Sequence, residues 1–292
     1  MSAPQPLTRE LLLGEFPLPD HSGDRDKNDR GALLVIAGSR EVAGASLLAG
    51  IGGLRAGAGK LQIATAECVA PMLSIAVPEA RVSGWAEDDE GCFAAGAIDD
   101  LIGWSEAAAA IVLGCGMQQG DGLDRLLDAL LDRALPVPLV IDAAAIGSLP
   151  RHAEAVRRWP GKATVLPHAG EMARLIERDE DDVVADPLGA AKTAAERFDV
   201  VALMKGPVSH LAAPDGRAFR YEGGGIGLAT SGSGDTLAGI VGGLAARGAD
   251  PLTATLWGVY LHGEAGRRLG ERVGRLGFLA REILDEVPRL LP

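Results

Sequence analysis

The sequence is poor in cysteine, in aromatic residues and in positive charge, and each shortage excludes a class of protein. Its 292 residues include three cysteines, Cys68, Cys92 and Cys115, with no close pair. Neither a disulfide framework nor a tetrahedral zinc site is therefore indicated. Aromatic residues make up only 4% of the chain while glycines number 40, so its layers must pack closely on small side chains. The net charge of −12 argues against nucleic acid or an anionic membrane surface as partners.

Long hydrophobic runs are also missing. No uncharged run approaches the roughly 20 residues that a membrane-spanning helix needs. The first residues, MSAPQPLTREL, lack the basic start and apolar centre of a signal peptide. With unpaired cysteines that indicate a reducing interior, these features predict a protein of the cytoplasm that has no membrane partner.

What the chain does contain is an alternation of apolar runs with longer amphipathic or alanine-rich stretches. The predicted strands span 32–38, 61–65, 110–114, 138–142, 163–167 and 200–205. The predicted helices span about 45–58, 121–133, 169–177, 187–198, 235–247 and 252–270. A hairpin is predicted around Pro-Asp-Gly within 208–221. This order predicts an α/β fold with a mainly parallel sheet covered by helices on both faces, formed by residues 1–292 as a single domain.

Polar residues follow several of the predicted strands directly. Asp142, His168 and Lys205 each stand at or just after a strand end, and the glycine-rich stretch 114–122 follows another. Ligands of such sheets bind beyond the carboxyl ends of the strands. The sequence therefore predicts one site at this edge of the sheet.

The familiar nucleotide-binding motifs do not fit this chain. In GLRAGAGKL (53–61), Leu54 stands where a Walker A loop needs glycine, and Leu61 replaces its magnesium-binding hydroxyl. The glycines of GCGMQQG (114–120) and TSGSGDTLAG (230–239) miss the spacing of a dinucleotide fold. The five histidines form no HExxH zinc motif.

The stretch TSGSGDTLAG is typical of an anion-binding turn at the start of a helix. Its glycines allow positive φ and close approach, while successive backbone N–H groups and the helix dipole attract negative charge. Asp235 in the first helical turn is expected to be ionised and to act as a base toward a substrate hydroxyl. The alternative is that Ser233 or Asp235 only caps the helix.

The segment 231–266, SGSGDTLAGIVGGLAARGADPLTATLWGVYLHGEAG, resembles the C-terminal signature of the ADP/ATP-dependent NAD(P)H-hydrate dehydratases, a branch of the ribokinase-like superfamily. The resemblance extends to GALLVIAGSREVAGASLLAGIGGLRAGAGKLQIAT (31–65), VLPHAGEMARLI (165–176) and ALMKGPVSHLAAPDG (202–216). These segments span nearly the whole chain in order. They imply a ribokinase-like three-layer sandwich.

The resemblance also implies a reaction, the repair of NADH or NADPH that has been hydrated on the nicotinamide ring. The ring hydroxyl of the S-epimer is phosphorylated by a nucleotide, expected to be ADP, and phosphate is then eliminated, leaving AMP. Asp235 would be the base of the phosphoryl transfer, and the N–H groups of Gly232, Ser233 and Gly234 would stabilise the moving phosphoryl group. Mg²⁺ is expected on the nucleotide phosphates, with Asp142 contacting it through water or only capping.

Binding residues follow from the same resemblance. Those expected at the hydrated dinucleotide are Ala45, Gly116, His168 and Asp235. Those expected at the adenine nucleotide are Lys205, Gly206 and Gly234. Glu171, three positions after His168, has the spacing to complete a capping arrangement with its helix, and its role is left open. The family further implies a homo-oligomer, a tetramer, and a separate epimerase protein for the other hydrate epimer.

Two other functions remain open from the sequence. A small-molecule kinase of the same superfamily, of the hydroxymethylpyrimidine or hydroxyethylthiazole kinase type, would use the same turn and base but release a stable phosphorylated product. A nucleotide sensor without catalysis would lack Asp235 or the glycine turn, and both are present. The chain departs from the family pattern at Gln118, where a glycine is common, and at Ala144, where an acid is common.

Overall fold

The computed structural model describes residues 3–21 and 26–292, and it places ten strands in one sheet. In chain order they are β1 (Gln5–Pro6), β2 (Ala32–Ile36), β3 (Lys60–Ala66), β4 (Ala80–Trp85), β5 (Ala110–Leu113), β6 (Leu139–Ile141), β7 (Ala163–Val165), β8 (Val200–Met204), β9 (Ser209–Ala212) and β10 (Ala218–Tyr221). The order across the sheet is β1-β10-β9-β8-β7-β6-β5-β2-β3-β4. From β8 to β4 all neighbours are parallel, while β9 is antiparallel to both β8 and β10.

Helices cover both faces of this sheet. They are α1 (Arg9–Glu15), α2 (Ala43–Arg55), α3 (Ala70–Ala76), α4 (Ala95–Ser105), α5 (Asp121–Asp132), α6 (Ala144–Ser148), α7 (Ala153–Arg157), α8 (Ala169–Ile176), α9 (Glu180–Ala185), α10 (Pro187–Phe198), α11 (Ser233–Ala246), α12 (Pro251–Arg272) and α13 (Ala280–Glu286). Successive residues of a strand point to opposite faces. Accordingly Leu33 and Val35 of β2 join one apolar core with α2, α11 and α12, while Leu34 and Ile36 join a second core with α5, α8 and α10.

The glycine-rich composition is explained by the contact between α2 and α11. A Cβ atom added at Gly239 would lie 2.0 Å from the carbonyl oxygen of Ala49, and one added at Gly243 would lie 2.4 Å from that of Gly53. Such distances leave no room for any side chain, so the two backbones touch directly. This contact fixes α11, whose first turn forms part of the site described below.

The structure confirms the α/β class, the mainly parallel sheet with helices on both faces, and the hairpin of β9 and β10. β4 was not predicted because ARVSGW is a partly exposed edge strand without a continuous apolar run. Also not predicted were β1 and several helices, among them α1, α3, α4 and α13. Within residues 3–21 and 26–292, every helix is too short or too polar to cross a membrane.

Candidate active site

A cavity of about 820 Å³ opens at the carboxyl ends of the central strands. Asp142 follows β6, His168 lies just beyond β7, and Lys205 follows β8, and these three strands are neighbours in the sheet. Predicted residues that line the cavity are Asp142, His168, Lys205, Gly206, Ser233, Gly234 and Asp235. The structure thus gathers at one edge residues that lie far apart along the chain.

Lys205 is the centre of an ion-pair network at the floor of this cavity. Its Nζ atom donates to Asp142 Oδ1 at 2.8 Å and lies 3.9 Å from Glu171 Oε2. Burial disfavours the charged form of Lys205, but Asp142 and Glu171 outweigh this and raise its pKa. Burial also raises the pKa of Asp142 to about 6, against the lowering effect of Lys205. The ammonium stays charged and is shared among several carboxylates.

The glycine turn is built as an anion-binding helix start. Gly232 is the N-cap residue of α11, with φ of +87°, and no side chain of residues 3–21 or 26–292 accepts a capping hydrogen bond from this helix start. Neither Ser233 nor Asp235 therefore acts as the cap. The N–H group of Ser233 donates to the Thr230 carbonyl oxygen at 3.2 Å. Among the described residues, the N–H group of Gly234 has no acceptor, so it remains available to a ligand beside the cavity wall that Ser233 and Gly234 form.

Asp235 lies in the first turn of α11, close to the network. Its pKa is raised by burial and by Glu171, while Cys115 and Lys205 lower it. Burial has the largest effect and opposes the ionised state that was expected for Asp235 from its place in the first helical turn. Lys205 thus supplies the opposite charge that favours an ionised Asp235.

Cys115 was not predicted as a site residue. Its Sγ atom and oxygens of Asp142 and Asp235 lie within 4.8 Å of one another, and the thiol is fully buried. Burial, together with the neighbouring carboxylates, raises its pKa well above the usual range of a thiol. Cys115 follows β5 and lies between two glycines at the predicted sheet edge. This place in the sequence was the signal that could have identified it as a site residue. The thiol is therefore a neutral neighbour of the two acids.

His168 and Glu171 form the capping box of α8. Nδ1 of His168 accepts from the N–H of Gly170 at 3.1 Å, and Glu171 Oε2 accepts from the N–H of His168 at 2.9 Å. The capping arrangement expected for Glu171 is thus present. The His168 side chain is still 57% exposed toward the cavity, and Glu171 faces Lys205. Both residues therefore belong to the cap of α8 and also line the cavity.

Ala45 and Gly116 lie beside each other, but they are not among the residues lining the 820 Å³ cavity. Ala45 is in the first turn of α2 and is 3% exposed. A Cβ atom on Gly116, where φ is +64°, would lie 2.5 Å from Cβ of Ala45. Gly116 is therefore required for close packing at this position.

Gln118 and Ala144, which depart from the family pattern, follow β5 and β6. Nε2 of Gln118 is 3.5 Å from Glu41 Oε2, and its carbonyl oxygen is 3.5 Å from Cys92 Sγ. Gln118 thus ties the loop after β5 to its neighbours. Ala144 is the first residue of α6, directly after Asp142 and Ala143.

Comparison with known proteins places this geometry in a family. The model of the NAD(P)H-hydrate dehydratase family matches residues 33–289. An ADP-dependent (S)-NAD(P)H-hydrate dehydratase of Xanthomonas campestris pv. campestris is 46% identical over 278 residues, which cover 94% of this chain and 92% of that protein. The chain also matches bifunctional NAD(P)H-hydrate repair enzymes and spans about half their length, for example 52% of the one from Thermofilum pendens.

Solved structures agree with the sequence relatives. The ADP/ATP-dependent NAD(P)H-hydrate dehydratase of Bacillus subtilis, co-crystallized with ATP and Mg²⁺, has a TM-score of 0.80 at 29% identity and covers 93% of this chain and 92% of its own. A ribokinase-like superfamily protein of Enterococcus faecalis has a TM-score of 0.80 at 24% identity, over 94% of this chain and 91% of its own, which supports the ribokinase-like fold. The family predicted from the sequence is therefore confirmed, and this chain belongs to the NAD(P)H-hydrate dehydratase family.

Proposed function

We propose that this protein dehydrates the S-epimer of hydrated NADH and NADPH, using ADP, and so restores the reduced cofactors. The observation that supports this most directly is the grouping of Asp235, Lys205 and Asp142 at the anion-binding start of α11. The named relative from Xanthomonas has this activity in its name. One ribokinase-like domain is inferred to perform the reaction, since all ten strands share one sheet.

The reaction needs two steps because hydroxide is a poor leaving group. First, the ring hydroxyl oxygen forms a bond to the β-phosphorus of ADP, the bond from that phosphorus to AMP breaks, and Asp235 takes the hydroxyl proton. Then the ring nitrogen supplies electrons as the carbon–oxygen bond breaks and phosphate leaves. Loss of a proton from the neighbouring ring carbon restores the double bond.

Protein groups contribute mainly by positioning and by stabilising charge. A general base such as Asp235 contributes about 10²- to 10⁴-fold to the rate. The N–H groups of Gly232, Ser233 and Gly234 are inferred to stabilise the charge of the transferred phosphoryl group. Lys205, Gly206 and Gly234 are inferred to bind the adenine nucleotide, since these three line the cavity around the ammonium group.

The hydrated dinucleotide is inferred to approach Asp235 from the side of His168. His168 is exposed to the cavity, whereas Ala45 and Gly116 pack closely against each other and do not line it. A role of Ala45 and Gly116 in binding the dinucleotide is supported by their position at the same sheet edge. Gly116 directly follows Cys115, whose Sγ atom lies close to Asp235.

Magnesium fits this site as an ion that binds together with the nucleotide. Asp142 Oδ1 is held by Lys205, and its Oδ2 atom lies 3.6 Å from the position of a Cβ added at Gly234. An oxygen at this place suits a hydrated Mg²⁺ that is bound mainly by the nucleotide phosphates, and Asp142 would contact it through water. The ion would neutralise phosphate charge during the transfer. Cys115, a soft ligand, does not suit Mg²⁺.

The kinase alternative is less well supported. Among the described residues that line the cavity, Tyr221 is the single Phe, Tyr or Trp, whereas a thiamine precursor favours a closed aromatic pocket. The named relatives are dehydratases, and this also supports elimination over a stable phosphorylated product. The tetramer, the separate epimerase and the cytoplasmic location stay predictions.

The test combines purified protein, hydrated NADH, magnesium and either ADP or ATP, and follows the return of the reduced-nicotinamide absorbance. Recovery with ADP is expected, together with stoichiometric AMP and phosphate. The matched control is the Asp235→Asn protein. No recovery with either nucleotide, with phosphorylation of a thiamine precursor instead, would establish the kinase.

A further inference from the structure

The anion-binding turn has a second partner, His262, which the reaction scheme above does not use. His262 lies in the middle of α12, is 8% exposed and borders the cavity. Its Nε2 atom is 3.0 Å from the carbonyl oxygen of Ser233 and 3.0 Å from Ser233 Oγ. One ring nitrogen of α12 thus contacts both polar groups of the first residue of α11.

The carbonyl contact determines which tautomer the ring adopts. A carbonyl oxygen can only accept a hydrogen bond, so Nε2 of His262 must be protonated to make this contact favourable. The ring is neutral, because burial and, to a smaller extent, Lys205 lower its pKa to about 4, against the raising effect of the Ser233 carbonyl. His262 is therefore a neutral Nε2–H donor at neutral pH.

The Ser233 carbonyl matters because it belongs to the same peptide unit as the N–H of Gly234. A peptide unit is planar, so fixing the direction of its C=O fixes the opposite direction of its N–H. The Thr236 hydroxyl donates to the same carbonyl oxygen at 2.7 Å, and this bond comes from within α11. Among the residues that the structure describes, His262 is the one that holds this peptide unit from another element of the fold.

The surroundings of Gly234 show which charged groups lie beside this peptide unit. A Cβ atom added at Gly234 would lie 3.4 Å from Lys205 Nζ and 3.6 Å from Asp142 Oδ2. The peptide unit held by His262 is therefore adjacent to the ammonium group inferred to bind the nucleotide phosphates. A tilt of this unit would move an N–H donor away from the transferred phosphoryl group.

We propose that His262 is a positioning residue, which holds the Ser233–Gly234 peptide unit through Nε2–H so that the Gly234 N–H faces the transferred phosphoryl group. This inference rests on the proposed function. Because the N–H group acts most strongly as charge develops in the transition state, its misplacement lowers kcat more than it raises KM.

The test compares two substitutions that differ in one donor. His262→Gln places an amide N–H near the position of Nε2, whereas His262→Leu has similar bulk and no donor. His152→Leu is the control for loss of a buried histidine, since His152 is 9% exposed and contacts Asp124 and Asp128 away from the cavity. For each folded variant, kcat and the KM for ADP are measured with hydrated NADH, and folding is checked by circular dichroism.

We expect His262→Leu to lower kcat roughly 10- to 100-fold, somewhat less than complete loss of an oxyanion-hole donor, with KM for ADP within about threefold. His262→Gln should retain at least ten times the kcat of His262→Leu, and His152→Leu should keep wild-type kcat. If His262→Leu does not fold, His262→Met is the second variant without a donor.

Three outcomes contradict the inference in different ways. Wild-type kcat in His262→Leu, or equal losses in the Gln and Leu variants, would overturn the positioning role alone. An inactive wild-type protein in the same assay would overturn the proposed function, and the inference with it. The wild-type measurement therefore separates the two failures.

Discussion

At the residue scale, the main feature of this site is that three carboxylates share one ammonium group. The carboxylates of Asp142 and Glu171 raise the pKa of Lys205, and Lys205 lowers the pKa of Asp235. Asp142 is nearly fully buried. Burial, with a smaller contribution from the neighbouring carboxylates, raises the pKa values of Asp142 and Asp235. The local positive field that a nucleotide needs thus comes from Lys205 and the N–H groups of α11.

The first prediction at this scale concerns Asp235→Asn. The amide cannot accept the hydroxyl proton, so kcat should fall by about 10²- to 10⁴-fold. Nucleotide binding should be retained, because Lys205 and the helix start are unchanged. Calorimetry with ADP and magnesium measures the binding, and the absorbance assay measures the turnover. Unchanged turnover in this variant would remove Asp235 from the mechanism.

The second prediction concerns Lys205→Met and its dependence on pH. Asp142 has a pKa of about 6 in the folded state, above the usual value of roughly 3.9 in an unfolded chain. Folding therefore takes up a proton between these values, and the stability that this group contributes is present at low pH and lost as the pH rises through about 6. Without Lys205, the buried carboxylate has lost its nearest cation.

Lys205→Met should consequently lower the free energy of unfolding by about 1–3 kcal/mol at pH 8, and by less at pH 5.5, where Asp142 can be neutral. Urea denaturation at the two pH values measures both differences. The control is Lys162→Met, which breaks the exposed ion pair to Asp199 and should change stability by less than about 1 kcal/mol. A deficit that grows as the pH falls would contradict the assigned sign.

At the element scale, the position of α11 depends on its glycine contact with α2. The carbonyl oxygens of Ala49 and Gly53 lie where side chains at Gly239 and Gly243 would otherwise be. This packing holds the N-terminus of α11 against the sheet edge, and the contact of His262 with Ser233 adds a tie from α12. Two neighbouring helices therefore orient the anion-binding turn.

The prediction at this scale compares two Gly→Ala substitutions within helices. Gly239→Ala places a methyl group 2.0 Å from a backbone oxygen, so it should lower stability by about 3 kcal/mol and reduce kcat by moving α11. Gly103→Ala in α4 meets no atom within 4 Å and should be neutral or stabilising by up to about 1 kcal/mol. Urea midpoints and kcat of both variants are the measurements. Equal stability of the two variants would show that α2 and α11 can move apart without loss of stability, and would contradict this prediction.

At the scale of the whole molecule, the strand order decides which residues meet. β6, β7 and β8 are neighbours, so the polar residues that follow them converge, and β5 places Cys115 beside them. The chain as a whole is strongly acidic, with a net charge of −12. An anionic nucleotide is therefore attracted only locally, at the start of α11 and at Lys205.

The prediction for the whole molecule is that ADP with magnesium stabilises the fold. A ligand at 100 times its Kd that binds only the folded state adds about 2.7 kcal/mol to stability. The melting temperature of the wild-type protein should therefore rise with ADP concentration, and much less so in Lys205→Met. A similar rise in both proteins would place the nucleotide elsewhere.

Much of the site was predictable because its residues follow apolar runs or lie within one short turn. Asp142, His168, Lys205 and the glycine turn before Asp235 all have such local signals. Glu171 was recognisable only as part of a cap, and Cys115 had no signal beyond its place after β5. His262 lies within the long predicted helix 252–270, where no local signal marked it as a site residue.

The sequence by itself determined the fold class, the family and the strand ends that form the site. These depend on the periodicity of side chains and on the chemistry of consecutive residues, which a single segment contains. Only the tertiary structure decided the ion pair between Lys205 and Asp142, 63 positions apart, and the contact between His262 and Ser233, 29 positions apart. Burial and distance between such segments set pKa values and donor directions, because both depend on how separate elements pack.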